Sequence, residues 1–367
     1  MAKKRRRLCN SGIGGQAVLE GVMMKNKDLY AVAVRKPDGE IDIETAEYHG
    51  IFHDKKIAKV PFIRGAVNMV DSLILGMRAL NYSASFYEDD QDQNETEYDR
   101  EEDIKKEKLY SAITVISSLV LAIGIFMVLP YFLSTFLERY VRNNSLLTLI
   151  EGVIRLAIFL IYIVSITMMK DIRRLYMYHG AEHKCINCIE RGHELTVENV
   201  RKSSRFHKRC GTSFLLFVMV VSVILFMFIS VENPALKVLF RLLLLPVIAG
   251  ISYEIIRLAG RSDNILLKII SAPGAALQKL TTKEPDDQMI EVAIKSVEAV
   301  FDWRAFIDEK FTKRAKQEEA ESDVETESAV EAESAEQFET AEETVNAEVN
   351  ADLEANTESE PDTDDKE

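Results

Sequence analysis

The chain has 367 residues, 47% of them hydrophobic, with a formal net charge of −14 and a mean hydropathy of −0.05. These averages hide a segregated chain: residues 315–367 hold 21 Asp and Glu against Lys316 and Lys366, a local −19, which leaves +5 on residues 1–314. The pI near 5.1 therefore describes a tail, and a remainder so mildly basic gives no ground for a nucleic-acid partner.

The chain opens MAKKRRR with no apolar run behind the basic cluster, so no cleavable signal is read. Residues 1–60 are expected to form a small β-rich segment, the strand part of an N-terminal α+β appendage. QAVLEGVMM, LYAVAVRK and EIDIETAEY have strand composition, and Pro37-Asp38-Gly39 joins the last two as a hairpin. Gly12-Ile13-Gly14-Gly15 lacks the dinucleotide fingerprint and reads as turn glycines entering the first strand. Residues 61–87 have helical periodicity interrupted by Arg64, Asp71 and Arg78, which predicts an amphipathic helix in the membrane interface. A charged linker follows at 88–108.

Four apolar stretches, 109–137, 146–169, 211–231 and 235–257, are each long enough for the ~20 residues of helix that cross a hydrocarbon core. They pair as segments 109–169 and 211–257 around a loop at 170–210. Glu151 and Arg155 in the second stretch lie four residues apart, on one helical face, and are expected to pair. Arg241 and Glu254 in the fourth are expected to face the bundle or a headgroup region. Residues 258–314 read as amphipathic and short soluble helices. The tail 315–367, nearly all Glu, Ala, Ser, Thr, Val and Asp, cannot bury enough apolar surface to offset ordering, so it reads as disordered, with docking to a basic partner as the alternative. The fold class is thus an α-helical polytopic membrane protein with the lipid bilayer as its partner. The 170–210 loop carries ten Lys and Arg between Lys170 and Arg209, while the 138–145 loop offers only Arg139 and Arg142. This asymmetry places both termini and the central loop in the cytoplasm.

Three of the four Cys (185, 188, 210) and four of the six His (179, 183, 193, 207) fall within residues 179–210. Cytoplasmic thiols stay reduced, so metal binding outranks disulfides. Two arrangements compete. His179-Gly-Ala-Glu182-His183 is an H-x-x-E-H pattern in which two imidazoles one helical turn apart hold zinc and Glu182 serves as general base. Its third ligand is open between His207 and Glu254. Alternatively Cys185-x2-Cys188-x18-His207-x2-Cys210 has the spacing of a closed zinc knuckle, in which the metal only orders the loop. Cys185 and Cys188 can also be packed reduced thiols, and His193 a surface residue.

GGQAVLEGVMMK at 14–25, PFIRGAVNMVDSLILGMRAL at 61–80, YHGAEHK at 178–184 and HKRCGTSF at 207–214 together resemble the YqhQ-like family of bacterial membrane proteins, across about residues 12–300. That family is catalogued as a domain of unknown function and as predicted metal-dependent enzymes. The resemblance implies a four-span inner-membrane protein with His179, Glu182, His183, His207 and Cys210 at its site. Cys185 and Cys188 are not defining positions of the family, which favours His179 and His183 with His207 or Cys210 as ligands of a divalent transition metal, zinc foremost. Hydrolysis at the membrane surface is the leading expectation. The alternative is a non-enzymatic scaffold or assembly factor for a membrane-protein partner. A transporter comes third, because the spans show no Gly/Pro-broken helices.

Overall fold

The computed structural model describes residues 9–51, 60–87, 97–229, 231, 233–259 and 265–312. The basic start of the chain, residues 88–96 of the charged linker and the acidic tail from 313 onward lie outside the described residues. The chain divides into two units, Met1–Arg304 and Ala305–Glu367.

The first unit begins with a four-stranded antiparallel meander, β1 (Gly14–Val18), β2 (Gly21–Asn26), β3 (Leu29–Arg35) and β4 (Ile41–Glu47), paired in chain order. The expected Pro37-Asp38-Gly39 turn joins β3 to β4, with Lys36 N–H donating to Glu40 O at 2.8 Å. QAVLEGVMM, read as one strand segment, is a hairpin instead: Val18 pairs Gly21 and the chain turns at Leu19-Glu20. The turn lacks Gly or Pro, and Glu20 takes φ +48 with its carboxylate on Arg174 and Tyr178. A tertiary contact there replaces the local turn signal.

The sheet is no appendage. One face packs on α1 (Ile63–Ala84), where Val18, Met23, Tyr30, Val32 and Val34 meet Leu75 and Ala79. The other carries α11 (Asp287–Val300), whose Ile290, Val292, Ala293 and Val297 are wholly buried. The segment read as a soluble helix is thus the second cover of the sheet. Helix α1 matches the predicted amphipathic element. Two of its charges face inward, Arg64 to Glu254 at 2.6 and 2.5 Å and Asp71 to Tyr48 and Ile51, while Arg78, Val70, Leu73, Met77 and Leu80 stay exposed.

Helix α2 (Glu97–Ile123) takes in the charged residues 97–108 and runs through a π turn (Gly124–Val128) into α3 (Leu129–Thr135). Helix α4 (Asn144–Thr167) follows, capped by Asn143. Then come α5 (Lys170–Glu190), α6 (Val197–Lys202), α7 (Gly211–Phe226), α8 (Pro234–Leu243), α9 (Leu245–Ala259) and α10 (Ile265–Thr281). Ala112–Thr135 and Ser145–Thr167 are long and apolar enough to cross a membrane, and α8 with α9 makes a third if their 41° bend belongs to one span. Helix α7 has 16 residues, about 24 Å against a core of about 30 Å. The expectation of unbroken spans is corrected. Pro246 has no N–H for Leu242 O, so the helix breaks at Leu244. In the second unit the described residues 305–312 end α12 (Trp303–Ile307) and form a π turn at Asp308–Thr312.

Between the apolar helices lies a buried charge cluster. Arg155 donates to Glu151 at 2.6 Å, the pair expected from spacing, and Arg241 adds a two-pronged contact at 2.7 and 2.7 Å. All three are at most 4% exposed, and the Phe226 ring lies 5.0 Å from each guanidinium. Arg155 Nε donates to Phe126 O at 2.9 Å. That carbonyl lacks an α-helical donor because Pro130, four residues on, has no N–H.

Candidate metal centre

The site is built on the C-terminal half of α5, where every residue from Gly180 to Glu190 is buried. So polar a stretch survives burial because its groups are bonded. Lys184 Nζ reaches Arg201 O at 2.8 Å and Glu284 at 2.9 Å, and Asn187 Nδ2 donates to Ser204 O and Phe206 O. Residue 180 is glycine because a Cβ there would collide with Lys283 O.

His179 and His183 stand one turn apart with ring centroids 4.4 Å apart. His179 Nδ1 lies 2.9 Å from Thr281 O and His183 Nδ1 lies 2.6 Å from Arg205 O. A carbonyl only accepts, so each Nδ1 carries the hydrogen and each Nε2 is left with its lone pair. A carbonyl holding the far ring nitrogen in this way fixes the orientation of an imidazole that ligates a metal. Cys210, the N-cap of α7, brings its Sγ to 3.3 Å from His179 Nε2. One donor atom each from His179, His183 and Cys210 lies within 4.8 Å of the others. Sulfur and nitrogen ligands of tetrahedral zinc, at bonds of about 2.3 and 2.0 Å, stand about 3.5 Å apart, so the donor set fits a borderline-soft cation.

Glu182 Oε2 lies 3.8 Å from His179 Nε2. Burial pushes its carboxyl above the usual range, against the opposing pull of His179 and of the Gly15 N–H that donates to it. A Cβ at Gly15 would lie 2.5 Å from Met23 O and 3.0 Å from Glu182 Cγ, so β1 approaches α5 only as glycine backbone.

His207 is beside this group and turned from it. Its ring is 5.6 Å from that of His183, and its Nε2 is 3.6 Å from Glu190. Gln278 clasps its backbone, accepting from His207 N at 2.9 Å and donating to His207 O at 2.8 Å. Burial lowers the His207 pKa, with Glu190 opposing. Burial alone would raise Glu190, but the nearby His207 ring, the Arg209 charge and the Ser11 N–H outweigh it and hold it down to about 2. The unfolded carboxylate takes its proton near pH 4.5 and the folded one refuses it, so this stabilisation is complete above 4.5 and lost as pH falls toward 2. Urea titrations of the solubilised protein should show that loss between pH 4.5 and 3, and Glu190→Gln should shrink it.

The knuckle's four residues are not gathered among the described residues. Cys188 Sγ faces Glu194 O at 3.3 Å, and Cys185 is fully buried. Burial pushes the Cys185 thiol well up and Cys188 up to about 11, which marks packed thiols. All four cysteines are free, and His193 is exposed. Glu254, weighed as a ligand, belongs to Arg64. The residues that shape the site without a signal in the sequence are Thr281, Gln278, Glu190 and Gly15. Thr281, Gln278 and Gly15 lie far from α5 in the chain, and Glu190, at the end of α5, acts through Ser11 and Arg209, partners that helical spacing does not show.

A family model described as Protein of unknown function (DUF1385) matches residues 60–303, which contain all of these α5, α7 and α10 residues. The chain is similar to "Uncharacterized protein YqhQ" of Bacillus subtilis (strain 168), with 37% identity over 289 residues, 77% of this chain and 90% of that protein. No solved structure matches. With two thirds of its length matched and a relative of this similarity, the chain belongs to the DUF1385 family of YqhQ-like proteins.

Proposed function

We propose that this protein is a zinc-dependent hydrolase of the inner membrane, working at the cytoplasmic surface. The four apolar stretches are its spans, α2–α3, α4, α7 and the bent α8–α9. The observation that carries the reading is the convergence of His179, His183 and Cys210, with both Nδ1–H groups tied to carbonyls so that the Nε2 lone pairs remain. Three protein ligands characterise catalytic zinc, and four closed ligands structural zinc. Zinc held there would supply Lewis acidity. Glu182, buried at the edge of the triangle, takes the proton of the attacking water and hands it to the leaving group. Gln278 holds the His207–Cys210 loop against α10, and Glu190 holds it against α5.

One observation favours the scaffold as second reading: Glu182 accepts the Gly15 N–H, a bond that ties β1 to α5. Metal analysis of the purified full-length protein tests the site itself. About one equivalent of zinc is expected, and His183→Ala or Cys210→Ser should weaken its retention by orders of magnitude. His207→Ala should keep most of it. Full zinc in both His183→Ala and Cys210→Ser would end the assignment.

A further inference from the structure

A second site lies on the far side of the sheet. Between the β1–β2 face and α1 is a cleft of about 710 Å³, within the range of about 300–1,000 Å³ typical of small-molecule sites. None of the metal-centre side chains lines it. Its lining pairs two amines, Lys25 and Lys27, with two carboxylates, Asp28 and Asp71, and adds the amides of Gln16 and Asn68. The floor is apolar, from Met23, Val67 and Leu75.

Lys27 is the informative residue. It sits at φ +56 in the two-residue turn between β2 and β3, a conformation that Gly or Asn adopts more readily. Glu20 shows the same departure one hairpin earlier, and there the side chain is held by Arg174 and Tyr178. Lys27 is exposed, and its ammonium has no ion-pair partner among the described residues. A strained backbone that carries an unengaged charge to a cleft mouth points to a ligand. Lys25 is half-buried, and Asp71 and Asp28 partly offset the cost of that burial.

The helix that walls the cleft sets where it opens. The inner face of α1 supplies Asn68, Asp71 and Ser72, while its outer face exposes Val70, Leu73 and Met77. A helix so divided suits the lipid–water interface, where the cleft would open at headgroup depth. We propose that the cleft binds the zwitterionic headgroup of a membrane phospholipid, a phosphate with a primary ammonium. The phosphate meets Lys25 and Lys27, the ammonium donates to Asp28 and Asp71, and the acyl chains follow the apolar face of α1. Binding of this kind does not depend on the metal centre being catalytic.

The test uses full-length protein in detergent with short-chain phosphatidylethanolamine, phosphatidylglycerol and phosphatidylcholine, read as dissociation constants. Phosphatidylethanolamine should bind tightest, because glycerol brings no cation and a trimethylated amine no N–H. Lys27→Gly relaxes the turn, so its thermal midpoint should not fall, while affinity drops roughly tenfold to a hundredfold through the lost charged hydrogen bond. Asp28→Asn should erase the preference over phosphatidylglycerol. His183→Ala should leave lipid affinity unchanged, so this proposal and the metal reading fail separately. Equal binding of the three lipids, or unchanged affinity in Lys27→Gly, overturns the proposal.

Discussion

On the hydrolase reading, Glu182→Gln is expected to retain zinc and membrane insertion while lowering turnover about 10²–10⁴-fold, the usual contribution of a general base. Glutamine preserves the volume in a buried site and can still accept the Gly15 N–H through its amide oxygen. What it loses is the capacity to take a proton. The two roles open to Glu182, tying β1 to α5 and moving a proton, therefore separate in this one substitution. Complementation of a deletion strain at native expression is the readout, with metal content measured on the same protein. Full complementation by Glu182→Gln beside failure of His183→Ala would make the metal structural and leave the scaffold reading in possession.

The largest stability effect is expected at Glu151. It is the only acid among three buried side chains that are bonded to one another, and it accepts from both Arg155 and Arg241. Glu151→Gln leaves two guanidiniums buried without a counter-charge, a loss of about 3–5 kcal/mol for breaking a buried pair. Arg241→Met is expected to cost less, because Glu151 and Arg155 remain as a neutral pair. Thermal midpoints of the solubilised variants decide the order. A milder effect at Glu151 than at Arg241 would mean that the cluster is not governed by its charge balance.

The parts legible in the sequence were those encoded at short range. His179, Glu182 and His183 announce themselves because one helical turn brings i and i+4 together, and Glu151 with Arg155 does so for the same reason. The choice between His207 and Cys210 was not legible. Both lie in the same few residues, and what separates them is remote: Glu190 draws the His207 ring away while α7 starts at Cys210 and aims its thiol at His179. Arg241 and Glu254 carried no hint of their partners, which lie 90 and 190 residues away. The periodicity of residues 287–300 gave a helix with one apolar face and could not say that the face covers a sheet. The turn at Leu19-Glu20 has no local signal because an ion pair with Arg174 takes the place of a glycine.

The cluster around Glu151 also sets a timetable. Arg241 follows Glu151 by 90 residues, a lag of about 5–18 s at ordinary rates of synthesis. On the proposed topology, α4 waits in the bilayer through that interval with its acid balanced by Arg155 alone, a pair made within a single helix and so complete as soon as the helix forms. When α8 enters, it carries a guanidinium that has no berth in lipid and one ready-made acceptor. The last apolar helix pair is therefore drawn to one docking place, and the broken α8–α9 segment closes the bundle only after α4 has been laid down to receive it.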